Sequence, residues 1–265
     1  MAWIFKRTIF SIAILGLLFC AYFFLSAKKT TRPQETPTAN NIPVQTEREK
    51  EVKIEEKKGE EAKTISAEKN EETVPEIPSK FLLQIPFYSQ APFGNWDKVH
   101  EEMCEESSVL NAGLYLLGEK PSKDAFEKEL MSFKKLEEKE LGDYKSNTVA
   151  EIKRVTDIYF GGKISSKIIN DPTLADIEAE VASGNPVVAP LAGRDIGNPN
   201  FTPPGPVYHM LVIKGYDAQN FITNDVGTRK GESYTYKKDV IMKNMHDWNA
   251  QDIHLGAKRV LVLYK

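Results

Sequence analysis

The sequence predicts an α+β domain in which N-terminal helices pack on a C-terminal antiparallel sheet. Two observations carry this. Helical periodicity dominates from about residue 105 to 185, and strand texture takes over from there to the end. Runs of helices followed by runs of strands, rather than strict alternation, mark α+β and not doubly wound chains. A third observation sets the domain apart: an apolar run and then a charged, aromatic-free stretch precede it. The composition (41% hydrophobic, 28% charged, net charge −3) excludes a polytopic membrane protein, a wholly disordered chain and any global pull toward nucleic acid. Two cysteines exclude a disulfide scaffold.

Residues 1–27 read as a transmembrane anchor or signal-anchor. From Thr8 to Ala27 there is no charge, and the run matches the ~20 residues a helix needs to cross a bilayer. A cleaved signal would end in a small-x-small site, whereas Leu25-Ser26-Ala27 places a large residue there. Phe19 is too bulky for Cys20 to be a lipid-attachment site, so Cys20 is expected to face lipid. Basic residues flank the run on both sides, Lys6 and Arg7 before it and Lys28 and Lys29 after it, so charge does not orient it. The short leading segment favours a single pass through the cell membrane with the bulk of the chain extracytoplasmic. Residues 28–78 hold ten Lys or Arg, twelve Glu, five Pro and no aromatic, which predicts a disordered linker with at most transient helix.

The domain spans 79–265. Phe81 to Ile85 reads as a short strand ended by Pro86. Glu105 to Leu117 is a helix with Val109, Leu110, Leu114 and Leu117 at helical spacing and Gly118 as its stop. Phe126, Leu130 and Phe133 repeat the pattern. Thr148 and Glu151 form a capping box ahead of Val149, Ile152, Val155 and Tyr159. Asp171-Pro172 opens a further helix that closes at Gly184-Asn185-Pro186. Strands follow at Val187–Ala189, Val207–Tyr216, Asn220–Thr223 and Arg259–Tyr264.

Cys104 is the only cysteine of the domain and stands at the predicted start of a helix, where unpaired amides and the helix dipole favour a thiolate. Glu105 and Glu106 oppose this locally. The plain alternative is a small buried residue. A thiolate nucleophile needs a base, and of His100, His209, His246 and His254 it is His209 that sits at the head of an apolar strand, on rigid scaffold. His100 lacks the companions of a metal site, and His246 and His254 read as surface. The strand carrying His209 turns at Gly215–Asp217 and returns from Asn220, so hairpin register brings His209 beside Asp225, with Asn224 as the competing orienter. Phe93, Trp96 and Tyr208 either line a groove or belong to the core.

Tyr88-Ser89-Gln90, Cys104-Glu-Glu-Ser-Ser, Tyr208-His209-Met-Leu-Val-Ile-Lys-Gly-Tyr and Asn224-Asp225 together resemble the motifs of papain-like cysteine peptidases, in the freestanding family-thirty-nine-like branch related to the double-glycine leader peptidases of bacteriocin export. The resemblance covers about Ile85 to Tyr264. It implies a papain-like fold, a peptide or protein substrate, Cys104 as nucleophile, His209 as general base and then acid, Asp225 as orienter, and Gln90 with the Cys104 amide as oxyanion donors. The sequence holds no nucleotide or metal motif, so no cofactor, no metal and no nucleic-acid partner is expected. Two departures stand out: Cys104-Glu105-Glu106 replaces the usual Cys-Gly-Pro, and Gln90 lies fourteen residues before the cysteine, so the loop Ala91–Met103 must fold back to deliver it. No transporter sequence follows, so processing coupled to export is not expected. The alternative from another class is an inactive papain-like domain that binds peptide or cell wall. Cleavage of peptidoglycan cross-links is a variant that no substrate-reading residue supports.

Overall fold

The computed structural model describes residues 77–265. The apolar run 8–27 and nearly all of the charged stretch lie outside the described residues. Among the described residues no helix is long and apolar enough to cross a membrane.

Five helices and seven strands build the domain: β1 (Phe81–Leu82), α1 (Cys104–Leu117), α2 (Lys123–Leu141), α3 (Val149–Phe160), β2 (Ser165–Asn170), α4 (Leu174–Ala182), β3 (Val187–Ala192), β4 (Tyr208–Tyr216), β5 (Asn220–Asn224), β6 (Tyr234–Lys237), α5 (Lys238–Asn244) and β7 (Arg259–Tyr264). Every strand pairing is antiparallel, in the order β2-β7-β3-β4-β5-β6, and β1 joins the end of β4 in line with β3. The α+β reading holds, but the strict order of helices then strands does not. β2 falls between α3 and α4, and β6 with α5 before β7; none of the three was expected. β2 alternates exposed and half-buried side chains, and the exposed Ser165 and Lys167 hide its periodicity. The strand expected over Phe81–Ile85 pairs only through Leu82, although Leu83 and Ile85 stay in the core.

Local signals explain most boundaries. α1 ends where Gly118 takes a left-handed φ of 73°, a conformation that costs glycine nothing. The Thr148–Glu151 capping box is formed at the head of α3. For α4 the cap moves two residues past Asp171: Thr173 and Asp176 make a second capping box, which Pro172 precedes. Gly113, inside α1, allows α3 to approach, because a Cβ there would stand 2.1 Å from Cζ of Phe160. All nine residues of β4 are buried, so the sheet centre is covered on both faces. α1 packs on β4, β3 and β7, and a hydrogen bond from Ser108 Oγ to the Met210 carbonyl (3.1 Å) pins it to β4.

The β4–β5 hairpin is irregular in a way that decides the site. Val212 opposes Asn224 and Ile213 opposes Thr223, yet Gly215 opposes Ile222, so Lys214 is an extra, bulged residue. A one-residue slip moves every side chain beyond it to the other face. Continued past the bulge, the register sets His209 opposite Gly227 and Asp225 opposite Leu211, which puts His209 and Asp225 on one face. Without Lys214 they would face apart.

Candidate active site

Cys104 is the first residue of α1, and His209 is the second of β4; both line one cleft of about 950 Å³, along with Gln90, Trp96, Tyr208 and Trp248. Phe93 is exposed and lies apart from this cleft. Cys104 is a free, buried thiol whose sulfur also meets the backbone N–H of Met210, the residue after His209.

His209 Nε2 donates to Asp225 Oδ1 at 2.9 Å, and both side chains are buried. Asp225 is held on all sides. Its Oδ1 also accepts from the Gly227 amide (3.1 Å), while Oδ2 accepts from Asn198 Nδ2 (2.8 Å) and the Tyr236 hydroxyl. Burial alone would raise this carboxyl. The His209 charge and the donors from His209, Tyr236 and Asn198 outweigh it, and Asp225 sits below the usual carboxylate range. Asn224, the competing orienter, points the other way: its Nδ2 donates to the carbonyls of Ile85 (3.3 Å) and Pro86 (3.0 Å). The bulge parity therefore resolves the choice in favour of Asp225. Phe201 meets the imidazole edge-on at 5.2 Å between ring centroids and closes its outer side.

Gln90 is delivered as the fold-back of 91–103 requires. Its backbone N–H donates to the Val226 carbonyl (3.0 Å), next to Asp225, and its Nε2 donates to the His100 carbonyl (2.7 Å), four residues before the nucleophile. Its Oε1 is buried without a hydrogen-bond partner. His100 itself is buried between Asp97 and Glu127, both at 2.9 Å, as a structural tie to α2. His254 is exposed and bridges Asp195 and Asp252. Among the described residues no three His, Cys, Asp or Glu side chains are grouped to hold a metal ion.

The thiol does not meet the expectation of a lowered pKa. Burial is the main cause pushing it well above its ordinary value, and the neighbouring Glu105 carboxylate adds to this. Glu105 Oε2 accepts the thiol proton at 2.9 Å, and Oε1 accepts the Asn147 amide at 3.2 Å. Burial raises Glu105 in turn to about 7, against the pull of these donors and of the His209 charge. Beneath it, Glu106 has no hydrogen-bond partner except the carboxyl of Glu137, and both are raised, chiefly by burial. Two carboxyls in contact can bond only by sharing a proton, so this pair is not doubly ionised.

Sequence reasoning missed Asn198, Tyr236, Asn147 and Glu137. The first three come from loops or a short strand without periodicity. For the acids a signal was present: from Val99 to Glu119 there is no Lys or Arg, so Glu105 and Glu106 have no i±4 cation of the kind that usually solvates helical acids.

The model of the Peptidase_C39 like family matches residues 82–252. The chain belongs to this family. It is a papain-like cysteine peptidase, and the family implies a peptide or protein substrate. Among solved structures it is similar to a protein described as a C39-like peptidase from Bacillus anthracis, at 15% identity and a TM-score of 0.48 over 71% of this chain and 98% of that one. It is also similar to xylellain, a cysteine protease from Xylella fastidiosa, at 15% identity and a TM-score of 0.38 over 72% of this chain and 87% of the other. No curated protein matches.

Proposed function

We propose that the chain is a membrane-anchored extracytoplasmic peptidase that cleaves peptide or protein amide bonds through an acyl-enzyme on Cys104. The observation that carries the chemistry is the buried His209–Asp225 pair facing the same cleft as Cys104 at the head of α1. Because Asp225 takes Nε2, Nδ1 is the nitrogen free to accept the thiol proton. The thiolate attacks the scissile carbonyl, and the oxyanion is met by the Cys104 amide and the Gln90 side-chain amide. The imidazolium then protonates the leaving amine, and water hydrolyses the thioester with His209 as base. The uncharged run 8–27 supports the anchor, and the charged stretch after it supports a tether that holds the domain near the membrane.

The test is iodoacetamide alkylation of Cys104 against pH, read on the Cys104 peptide by mass spectrometry, with His209→Ala alongside. A fast rate well below the free-thiol value of ~8.5 that vanishes in His209→Ala supports the reading. Slow alkylation that ignores His209 refutes it and leaves an inactive binding domain. For location, membrane retention of the full chain and its loss when residues 1–27 are removed are expected.

A further inference from the structure

The mechanism above uses one imidazole and one thiol, but the thiol proton is not free in this site. It is already engaged by Glu105 Oε2 at 2.9 Å. Glu105 is not an incidental neighbour. It is 1% exposed, its second oxygen is fixed by the Asn147 amide, and it is close enough to His209 to respond to that ring's charge. Asn147 is itself built in, since the Tyr208 hydroxyl donates to its carbonyl (3.2 Å) and its side-chain Nδ2, distinct from the backbone N–H that holds Glu105, donates to Glu137 Oε1 (3.5 Å). A carboxyl locked against the attacking atom has two opposite effects, depending on its own proton.

We propose that Glu105 is a third ionisable residue of the active site, which licenses the nucleophile when protonated, by donating to the Cys104 thiolate, and silences it when ionised, by holding the proton on sulfur. The inference rests on the peptidase reading of Cys104 and His209. The proton balance is simple. With Glu105 neutral, the S–H bond breaks, the proton moves to His209 Nδ1, and the Glu105 O–H turns to the new anion, so a single negative charge forms beside the imidazolium. With Glu105 ionised, the same transfer would set two adjacent anions in a buried site, and the thiol persists.

The groups facing Glu105 all bear on this balance. From α1 come Cys104 and Glu106; from α2, Glu137 with Lys134 beyond it; and from β4, Tyr208 and His209. No lysine or arginine among the described residues ties down its charge. The neighbouring acids and burial favour its protonated form, whereas the thiol, the Asn147 amide and His209 favour the ionised one. Burial prevails over the donors and raises Glu105 to about 7, which places the switch near neutral pH.

The experiment is the alkylation profile of Cys104 with iodoacetamide on the full chain, from pH 5 to 9, for wild type, Glu105→Gln and His209→Ala, with the Cys104 peptide read by mass spectrometry so that Cys20 does not contribute. Glu105→Gln, a permanent stand-in for the protonated carboxyl, is expected to match wild type within about threefold at pH 5.5 and to exceed it at least tenfold at pH 8. Wild type alone is expected to lose rate as pH rises through about 7, which keeps the test open if the variant does not fold. A wild-type rate that climbs smoothly through 7, or a Glu105→Gln profile parallel to or slower than wild type at pH 8, overturns the proposal. If instead wild type shows no His209-dependent rate at any pH, the peptidase reading itself has failed.

Discussion

Glu137→Gln isolates the cost of the carboxyl pair below the nucleophile. In the folded chain Glu106 and Glu137 meet in the core, and burial raises both above their unfolded values near 4.3. A raised acid contributes stability that is fully present below the unfolded pKa and is lost as pH rises toward the folded one. Each retained proton removes about 1.4 kcal/mol per pH unit over that window, or on the order of 3–4 kcal/mol by pH 7. Glutamine has nearly the same shape and can donate to Glu106 without a titrating proton. Wild type and variant therefore differ by one retained proton, and the variant's relative stability should grow by about 4 kcal/mol between pH 5 and pH 8. Urea unfolding followed by tryptophan fluorescence at four pH values measures this, with the m-value checked for constancy. Parallel stability curves for the two proteins would refute a shared buried proton. A variant that is less stable by a constant amount would show Glu137 acting through packing alone.

Other changes probe the hairpin. Asp225→Asn should lower kcat/KM by at least ~10²-fold, since the imidazole loses the anion that orients it and stabilises its charged form. Asn224→Ala, one residue away and facing Ile85 and Pro86, should instead cost about 1–3 kcal/mol of stability and leave the pH profile unchanged; equal effects of the two on kcat/KM would contradict the register set by Lys214. Gly227→Ala would bring a Cβ to 2.8 Å from Cε1 of His209, so alkylation of Cys104 should slow by an order of magnitude or more while Tm changes little. Tm falling in step with reactivity would show that the ring is not what moves.

Much of this architecture is legible in the sequence because it rests on local chemistry. The Thr148–Glu151 box, the Gly118 stop and the apolar runs of β4 and β7 each state their structure within a few residues, and the structure has them in place. His209 and Asp225 are legible as neighbours because a hairpin limits their separation. Their shared face is not legible, because it depends on one bulged residue whose presence no pattern around Lys214 declares. Likewise Asn198 and Tyr236 reach Asp225 from 27 and 11 residues away in sequence, through loop geometry that periodicity does not encode. The cap of α4 is displaced for a smaller reason: Asp171 and Thr173 are both good caps, and only Thr173 finds an acid three residues on.

The thiol is where a sound local rule gives the wrong sign, and magnitudes show why. A helix N-terminus stabilises an anion by about 0.3–1 kcal/mol, rising to ~2 in partly buried sites. Two unit charges about 4 Å apart interact with about 4 kcal/mol at the effective dielectric typical of protein sites. A carboxylate against Sγ therefore opposes the helix that carries it and adds to burial, which remains the main cause that moves the thiol up rather than down. That interaction disappears when Glu105 takes a proton, which lowers the thiol pKa again, while the effect of burial stays. The helix effect that the sequence suggests is thus opposed twice, by burial and by the Glu105 carboxylate, and a proton on Glu105 removes only the second. On the proposed reading, the reactivity of Cys104 is consequently set by three groups, His209 and the head of α1 acting for the thiolate and Glu105 deciding whether they prevail.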